Sequence, residues 1–172
     1  MPHNNQHDIR EDKMLNAPQK RKKTTVLLVD DHALLRRGLA DLIKYEPDLE
    51  VIGEAADGEA AIAAAERLNP DVIVMDLMMP VLNGADATAE ISAKLPETKV
   101  VLFTTFPTSD MIASAIGNGA AGAIFKSAAE TELVSAIRAV ASGKTYISRD
   151  VAKLLASDPP VEPLTSRQKD IL

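Results

Sequence analysis

Residues 26 to 31 read Val26-Leu27-Leu28-Val29-Asp30-Asp31, four apolar residues in a row followed at once by two carboxylates. A strand with one wet face alternates apolar and polar residues, whereas an unbroken apolar run of this length is covered on both faces, as in a parallel sheet flanked by helices. The pattern returns in Val51-Ile52, Val72-Ile73-Val74-Met75, Val100-Val101-Leu102-Phe103 and Ala123-Ile124-Phe125. These runs start 25, 21, 28 and 23 residues apart, which leaves room each time for a crossover helix. The expected fold is α/β, a doubly wound five-stranded parallel sheet. Between the strands, Leu34, Leu35, Leu39, Leu42 and Ile43 share one stripe of a helix, and Leu133, Ile137, Val140 and Ala141 share another. Ser127-x-x-Glu130 has capping-box spacing and is expected to start the helix after the fifth strand.

Around this unit the chain divides by composition. Its 172 residues are 46% hydrophobic, enough for a sizeable core, and carry a net charge of −6 that argues against a surface built to grip nucleic acid or an anionic membrane. Residues 1–23 are the exception, with six basic side chains against three acidic ones, and are expected to be a disordered basic leader. Its run Lys20-Arg21-Lys22-Lys23 reads as a solvated tail, with a DNA-contacting arm as the alternative. The α/β domain is expected over 24–143. A linker with a short helix through Val151, Leu154 and Leu155 follows over 144–163, where three prolines among residues 159–163 stop further helix. Over 164–172, Thr165-x-x-Gln168 opens another helix, the expected first turns of a truncated second domain. With no cysteine there is no disulfide framework, thiolate zinc site or cysteine nucleophile, and a reducing cytoplasm is expected. Apolar runs are far shorter than the roughly 18 to 20 residues of a spanning helix, so no membrane association is expected.

The polar residues that end the strands carry the chemistry. Asp30 and Asp31 follow the first strand, Asp76 the third, Thr104 the fourth and Lys126 the fifth. All lie at carboxyl ends, the edge where open parallel sheets form ligand sites. Taken singly, an aspartate there is a cap or turn residue, Thr104 an ordinary strand end and Lys126 a surface lysine. Taken together, three carboxylates that would repel one another suit a hard divalent cation, Mg2+ or Mn2+, while a lysine and a hydroxyl face a phosphoryl oxygen. With Asp76 as nucleophile, the set describes phosphoryl transfer onto a carboxylate.

These motifs resemble the receiver domains of bacterial two-component response regulators of the NarL/FixJ type. The match runs through Val26-Leu27-Leu28-Val29-Asp30-Asp31-His32, Asp76-Leu77-Met78-Met79-Pro80-Val81-Leu82-Asn83-Gly84, Thr104-Thr105-Phe106 and Gly119-Ala120-Ala121-Gly122-Ala123-Ile124-Phe125-Lys126. The resemblance implies a flavodoxin-like strand order 2-1-3-4-5. It also implies that Asp76 accepts phosphate from a sensor histidine kinase, that Asp31 ligates the metal directly with Asp30 acting through water, and that the Met78 backbone carbonyl is a further ligand. Thr104 and Lys126 then bind the phosphoryl group, and a homodimer forms on phosphorylation. Residues 164–172 resemble the start of a LuxR-type helix-turn-helix, so DNA is bound only through the rest of that domain. Two departures stand out. Ala123 occupies the position of the family's switch aromatic, which leaves Phe106, Phe125 or the face around Met111 and Ile112 as relays. Ser127 stands where many receivers have proline, and its capping role offers a reason.

Several patterns lead elsewhere. Gly117-Asn118-Gly119-Ala120-Ala121-Gly122 satisfies G-x-G-x-x-G, but it follows a helix and enters a strand, the reverse of a dinucleotide site. His3 and His7 belong to the solvated leader, and His32 either shapes its loop or touches the acidic pocket. An aspartyl phosphohydrolase needs an acid/base group near the nucleophile, yet the residue two beyond Asp76 is Met78. A phosphoacceptor switch with slow dephosphorylation is therefore expected, rather than an enzyme or a receiver-like docking module that takes no phosphate.

Overall fold

The computed structural model describes residues 22–105, 107–161 and 166–171. Five strands alternate with helices: β1 (Thr24–Val29), α1 (Ala33–Lys44), β2 (Leu49–Ala55), α2 (Gly58–Leu68), β3 (Val72–Met75), α3 (Gly84–Lys94), β4 (Lys99–Thr104), α4 (Ser109–Gly117), β5 (Gly122–Phe125) and α5 (Glu130–Ala141). A short strand β6 (Tyr146–Ile147) and helices α6 (Arg149–Ser157) and α7 (Ser166–Ile171) follow. The sheet is parallel throughout, in the order β2-β1-β3-β4-β5-β6. The expected order of the first five strands holds, and β6 extends the sheet to six.

Period-two alternation sends neighbouring residues of each strand into two separate cores. Leu27, Val29, Ile73, Met75, Val100 and Leu102 pack beneath α2, α3 and α4, while Val26, Leu28, Val72, Val74, Val101 and Phe103 pack beneath α1 and α5. Small residues let two of the helices lie close: Ala61, Ala64 and Ala65 face the sheet from α2, and Ala87 from α3. Side-chain caps define the starts of several helices. Asp57 accepts from the Ala60 amide, Asn83 from Asp86, Thr108 from Met111 and Ser148 from Val151.

Four expectations are corrected. Residues 144–163 are more than a linker, because β6 pairs with β5 and α6 buries Val151 and Leu155 in the core that holds Ile112 and Ala123. Ser127 caps nothing, since the N-cap of α5 is Ala129, which makes no side-chain cap bond, and Ser127 is exposed in the preceding turn. Leu34 is 74% exposed and belongs to no core stripe, while Leu39 and Ile43 of the same helix are buried. Ala141, at the end of α5, is likewise exposed. The glycine-rich run does what its context implied: α4 ends at Gly117, Gly119 takes a φ of 122° and Gly122 opens β5. The leader up to residue 21 with His3 and His7, the Thr165 cap and Phe106 lie outside the described residues; Lys22 and Lys23 are exposed. Among the described residues, no helix is long and apolar enough to cross a membrane.

Candidate functional site

Strand order decides which polar residues meet. Because β1 lies between β2 and β3, the chain leaves β1 and β3 side by side, with Val29 paired to Met75, so the aspartates that follow them emerge together. Asp30, Asp31 and Asp76 each offer a carboxylate oxygen, and these oxygens lie within 4.8 Å of one another. Asp30 and Asp76 are buried and Asp31 is exposed, which gives the cluster a closed floor and an open mouth. A cleft of about 670 Å3 opens at this mouth, lined by Asp31, Leu77, Met78, Asn83, Asp110 and Met111 among others.

Lys126, carried past the end of β5, reaches back across β4 to the cluster. Its Nζ lies 2.5 Å from Asp30 Oδ2 and 2.9 Å from Asp76 Oδ2. Burial strips water from this ammonium and alone would lower its pKa, but the hydrogen bonds to Asp30 and Asp76, with the charge behind them, hold it above the ordinary lysine value of 10.5. Since the folded value is the raised one, the stability this group contributes is fully present below about pH 10.5 and is lost as pH rises through the folded value. Urea denaturation is therefore expected to show a steeper fall in stability above that pH for the wild type than for Lys126→Met; parallel curves would contradict it.

Three carboxylates face one ammonium, so the cluster keeps a net negative charge made of hard oxygen donors, a set suited to a divalent cation. The fit extends to Thr104 at the end of β4. Its side chain is fully buried and its Oγ1 has no hydrogen-bond partner. A buried hydroxyl without a partner costs stability and points to a group it would satisfy.

Backbone groups set the remaining geometry. The His32 amide donates to Asp30 Oδ1 at 2.8 Å and the Met78 amide to Asp76 Oδ1 at 3.4 Å. Thus His32 meets the acidic pocket through its main chain, while its exposed side chain makes no cap bond to α1. Met78 stands beside Asp76 with its side chain 58% exposed. Gly84, at the start of α3, is pressed against the loop that carries Asp76, for a Cβ there would collide with the Asp76 carbonyl oxygen. Gly84→Ala is expected to push that loop outward, lowering stability by about 1–3 kcal/mol and abolishing reactions at Asp76. Thermal melts together with Asp76 labelling by acetyl phosphate check it, and a variant as stable and reactive as wild type would refute it.

The structure brings together every side chain proposed for the site: Asp30, Asp31, Asp76 and Lys126 in contact range, with Thr104 at the end of the intervening strand. Ala123 is fully buried and shares a cluster with Ile112, Val151 and Leu155, against which Met111, Phe125 and Ile147 pack. The sequence pattern did not reveal Arg36, whose guanidinium donates to the Asp30 carbonyl at 2.6 Å, because a bond to main chain leaves no mark in side-chain spacing.

The fold and its acid-lined edge define a flavodoxin-like α/β protein with its site at the carboxyl ends of the central strands. Residues 26–138 match the family described as response regulator receiver domain. The transcriptional regulatory protein LiaR of Bacillus subtilis is 39% identical over 155 residues, covering 86% of this chain and 74% of that protein. The nitrate/nitrite response regulator protein NarL of Escherichia coli K12 is 34% identical over 157 residues, covering 86% and 73% respectively. Among solved structures, a LuxR-family two-component response regulator from Aurantimonas sp. SI85-9A1 superposes with a TM-score of 0.75 at 34% identity, over 79% of this chain and 97% of that one. The signal receiver domain of the putative response regulator NarL from Mycobacterium tuberculosis gives 0.68 at 34% identity, over 72% and 99%. This chain belongs to the response regulator receiver family, in the branch of LuxR-family two-component regulators of transcription.

Proposed function

We propose that Asp76 is the phosphoacceptor of this receiver and that a sensor histidine kinase supplies its phosphoryl group. One observation carries the reading: the Asp76 carboxylate lies among two further aspartates and the Lys126 ammonium, at the edge where the unpartnered Thr104 hydroxyl is buried. In the transfer, a carboxylate oxygen of Asp76 bonds to phosphorus as the bond from phosphorus to the donor's imidazole nitrogen breaks, and that nitrogen keeps the electron pair. Asp30, Asp31, Asp76 and the Met78 carbonyl would hold Mg2+ or Mn2+, whose charge offsets that of the arriving phosphoryl oxygens. Lys126 already lies on Asp76 and needs only a small movement to pair with a new oxygen there. Thr104 gains the partner it lacks by donating to another. No acid/base side chain stands two residues beyond Asp76, so the acyl phosphate is lost slowly.

The consequence is a shift between two arrangements of the β4, β5 and α4 face, read out as homodimerisation and release of a LuxR-type DNA-binding domain that begins near residue 164. DNA is contacted through that domain rather than through the receiver, in the cytoplasm. A Phos-tag gel of wild type and Asp76→Asn incubated with acetyl phosphate and Mg2+ tests the reading. A retarded band in wild type alone, with light scattering of the retarded species at twice the monomer mass, is expected; equal labelling of both proteins, or none in wild type, would overturn it.

A further inference from the structure

β1 and β2 end together at their last register pair, Val29 with Ala55, and the chain leaving β1 continues into Asp30 and Asp31. The Asp30 amide still bonds to the Ala55 carbonyl at 3.1 Å, but the Asp30 carbonyl lies beyond the ladder. Arg36, one turn into α1, fills that place. Its NH1 donates to the Asp30 oxygen at 2.6 Å, while its Nε donates to Glu54 Oε2 on β2 at 3.0 Å. The side chain is only 15% exposed although it leaves a surface helix. Its own amide makes the first-turn bond of α1, to the carbonyl of the N-cap His32 at 3.1 Å.

We infer that Arg36 is a positioning residue for the acidic pocket, oriented by Glu54, and that it sets the affinity of the pocket for a divalent cation and so the readiness of Asp76 to be phosphorylated. The inference rests on the function proposed above. Asp30 has three fixed points: its amide on β2, its carbonyl on Arg36 and its Oδ1 on the His32 amide. With these held, Oδ2 is the oxygen left to face Lys126 and the cluster. Releasing the carbonyl frees the turn to rotate, which moves Asp30 and Asp31 together, because they are consecutive. Lysine cannot substitute fully. A guanidinium sends Nε and NH1 to two acceptors in one plane, whereas an ammonium is a single point. Partners of this kind behind metal-holding groups alter affinity by about 10- to 100-fold when removed.

The test compares wild type, Arg36→Gln, Arg36→Lys, Glu54→Gln and Arg37→Gln, all as full chains. Arg37 is exposed on the same helix and controls for simple loss of positive charge. Mn2+ binding is read by electron paramagnetic resonance, the Asp30 and His32 amides by NMR in the metal-free proteins, and labelling rates over a range of acetyl phosphate concentrations. Arg36→Gln is expected to weaken Mn2+ binding about tenfold or more, to shift both amide resonances and to lower the labelling rate at subsaturating Mg2+, with recovery at saturating Mg2+. Arg36→Lys falls between it and wild type, and Arg37→Gln matches wild type. Should Arg36→Gln fail to fold, Glu54→Gln keeps the arginine but removes the charge that orients it, and is expected to weaken Mn2+ binding and shift the Asp30 amide in the same direction; wild-type Mn2+ affinity in Glu54→Gln would then overturn the inference. Wild-type affinity in the folded Arg36 variants, or an equal loss in Arg37→Gln, overturns the inference alone; a wild type that binds no Mn2+ overturns it together with the proposed function.

Discussion

Replacing Lys126 with methionine is expected to destabilise the protein by about 3–5 kcal/mol in the presence of a chelator, and added Mg2+ is expected to restore much of the loss. The side chain removed is the cation that touches both Asp30 and Asp76, whose carboxylates are buried. Deleting one partner of a buried ion pair leaves the other charge without compensation, and a loss of that size is typical. Methionine fills most of the space of the lysine stem, so lost packing contributes little. The three aspartates then offer a divalent cation a site with no competing ammonium. At a hundredfold excess over its dissociation constant, such a ligand returns about 2.7 kcal/mol. Urea denaturation in chelator and in Mg2+ measures both numbers. A variant that is equally stable in both would mean that the acidic cluster does not hold the ion.

Thr104→Val has the opposite profile, with little change in stability and a large loss of function. Valine keeps the shape of threonine and removes a hydroxyl that is buried without a partner. The metal-free variant is therefore expected to be as stable as wild type or about 1 kcal/mol more so. Phosphorylation should suffer, because a donor aimed at developing negative charge in a dry site is worth about a hundredfold in rate. Single-turnover labelling by acetyl phosphate, compared with the urea midpoint of the same sample, separates the two effects. A variant that labels at the wild-type rate would show that the hydroxyl serves something other than the phosphoryl group.

The strands were legible because strands buried on both faces must be apolar throughout. Val26 to Val29 and Val72 to Met75 cannot be mistaken for half-exposed strands. β2 was seen only at Val51 and Ile52, since Gly53 and Glu54 interrupt its apolar pattern, although the strand extends over Leu49–Ala55. Strand β6 left no trace, being two residues that pair only because β5 lies beside them. The start of α5 was misread because the capping-box pattern records side chains alone. The turn that sets the helix start is a main-chain bond from the Ala128 amide to the Phe125 carbonyl. The site divides the same way. Asp30, Asp31, Asp76, Thr104 and Lys126 were readable from their positions at strand ends, whereas Arg36 and Gly84 act on carbonyl oxygens that no side-chain motif encodes.

The brevity of β6 matters for how the molecule behaves in company. Without that strand and the helix that follows it, β5 would present a bare row of amides and carbonyls to any passing chain, an invitation to strand exchange and fibre growth. A ribbon of two residues is too short to serve as such a template in turn, and Ser148 immediately bends away into α6. The stretch that by sequence looked like a mere connector thus acts as a selvedge on the β5 side of the sheet.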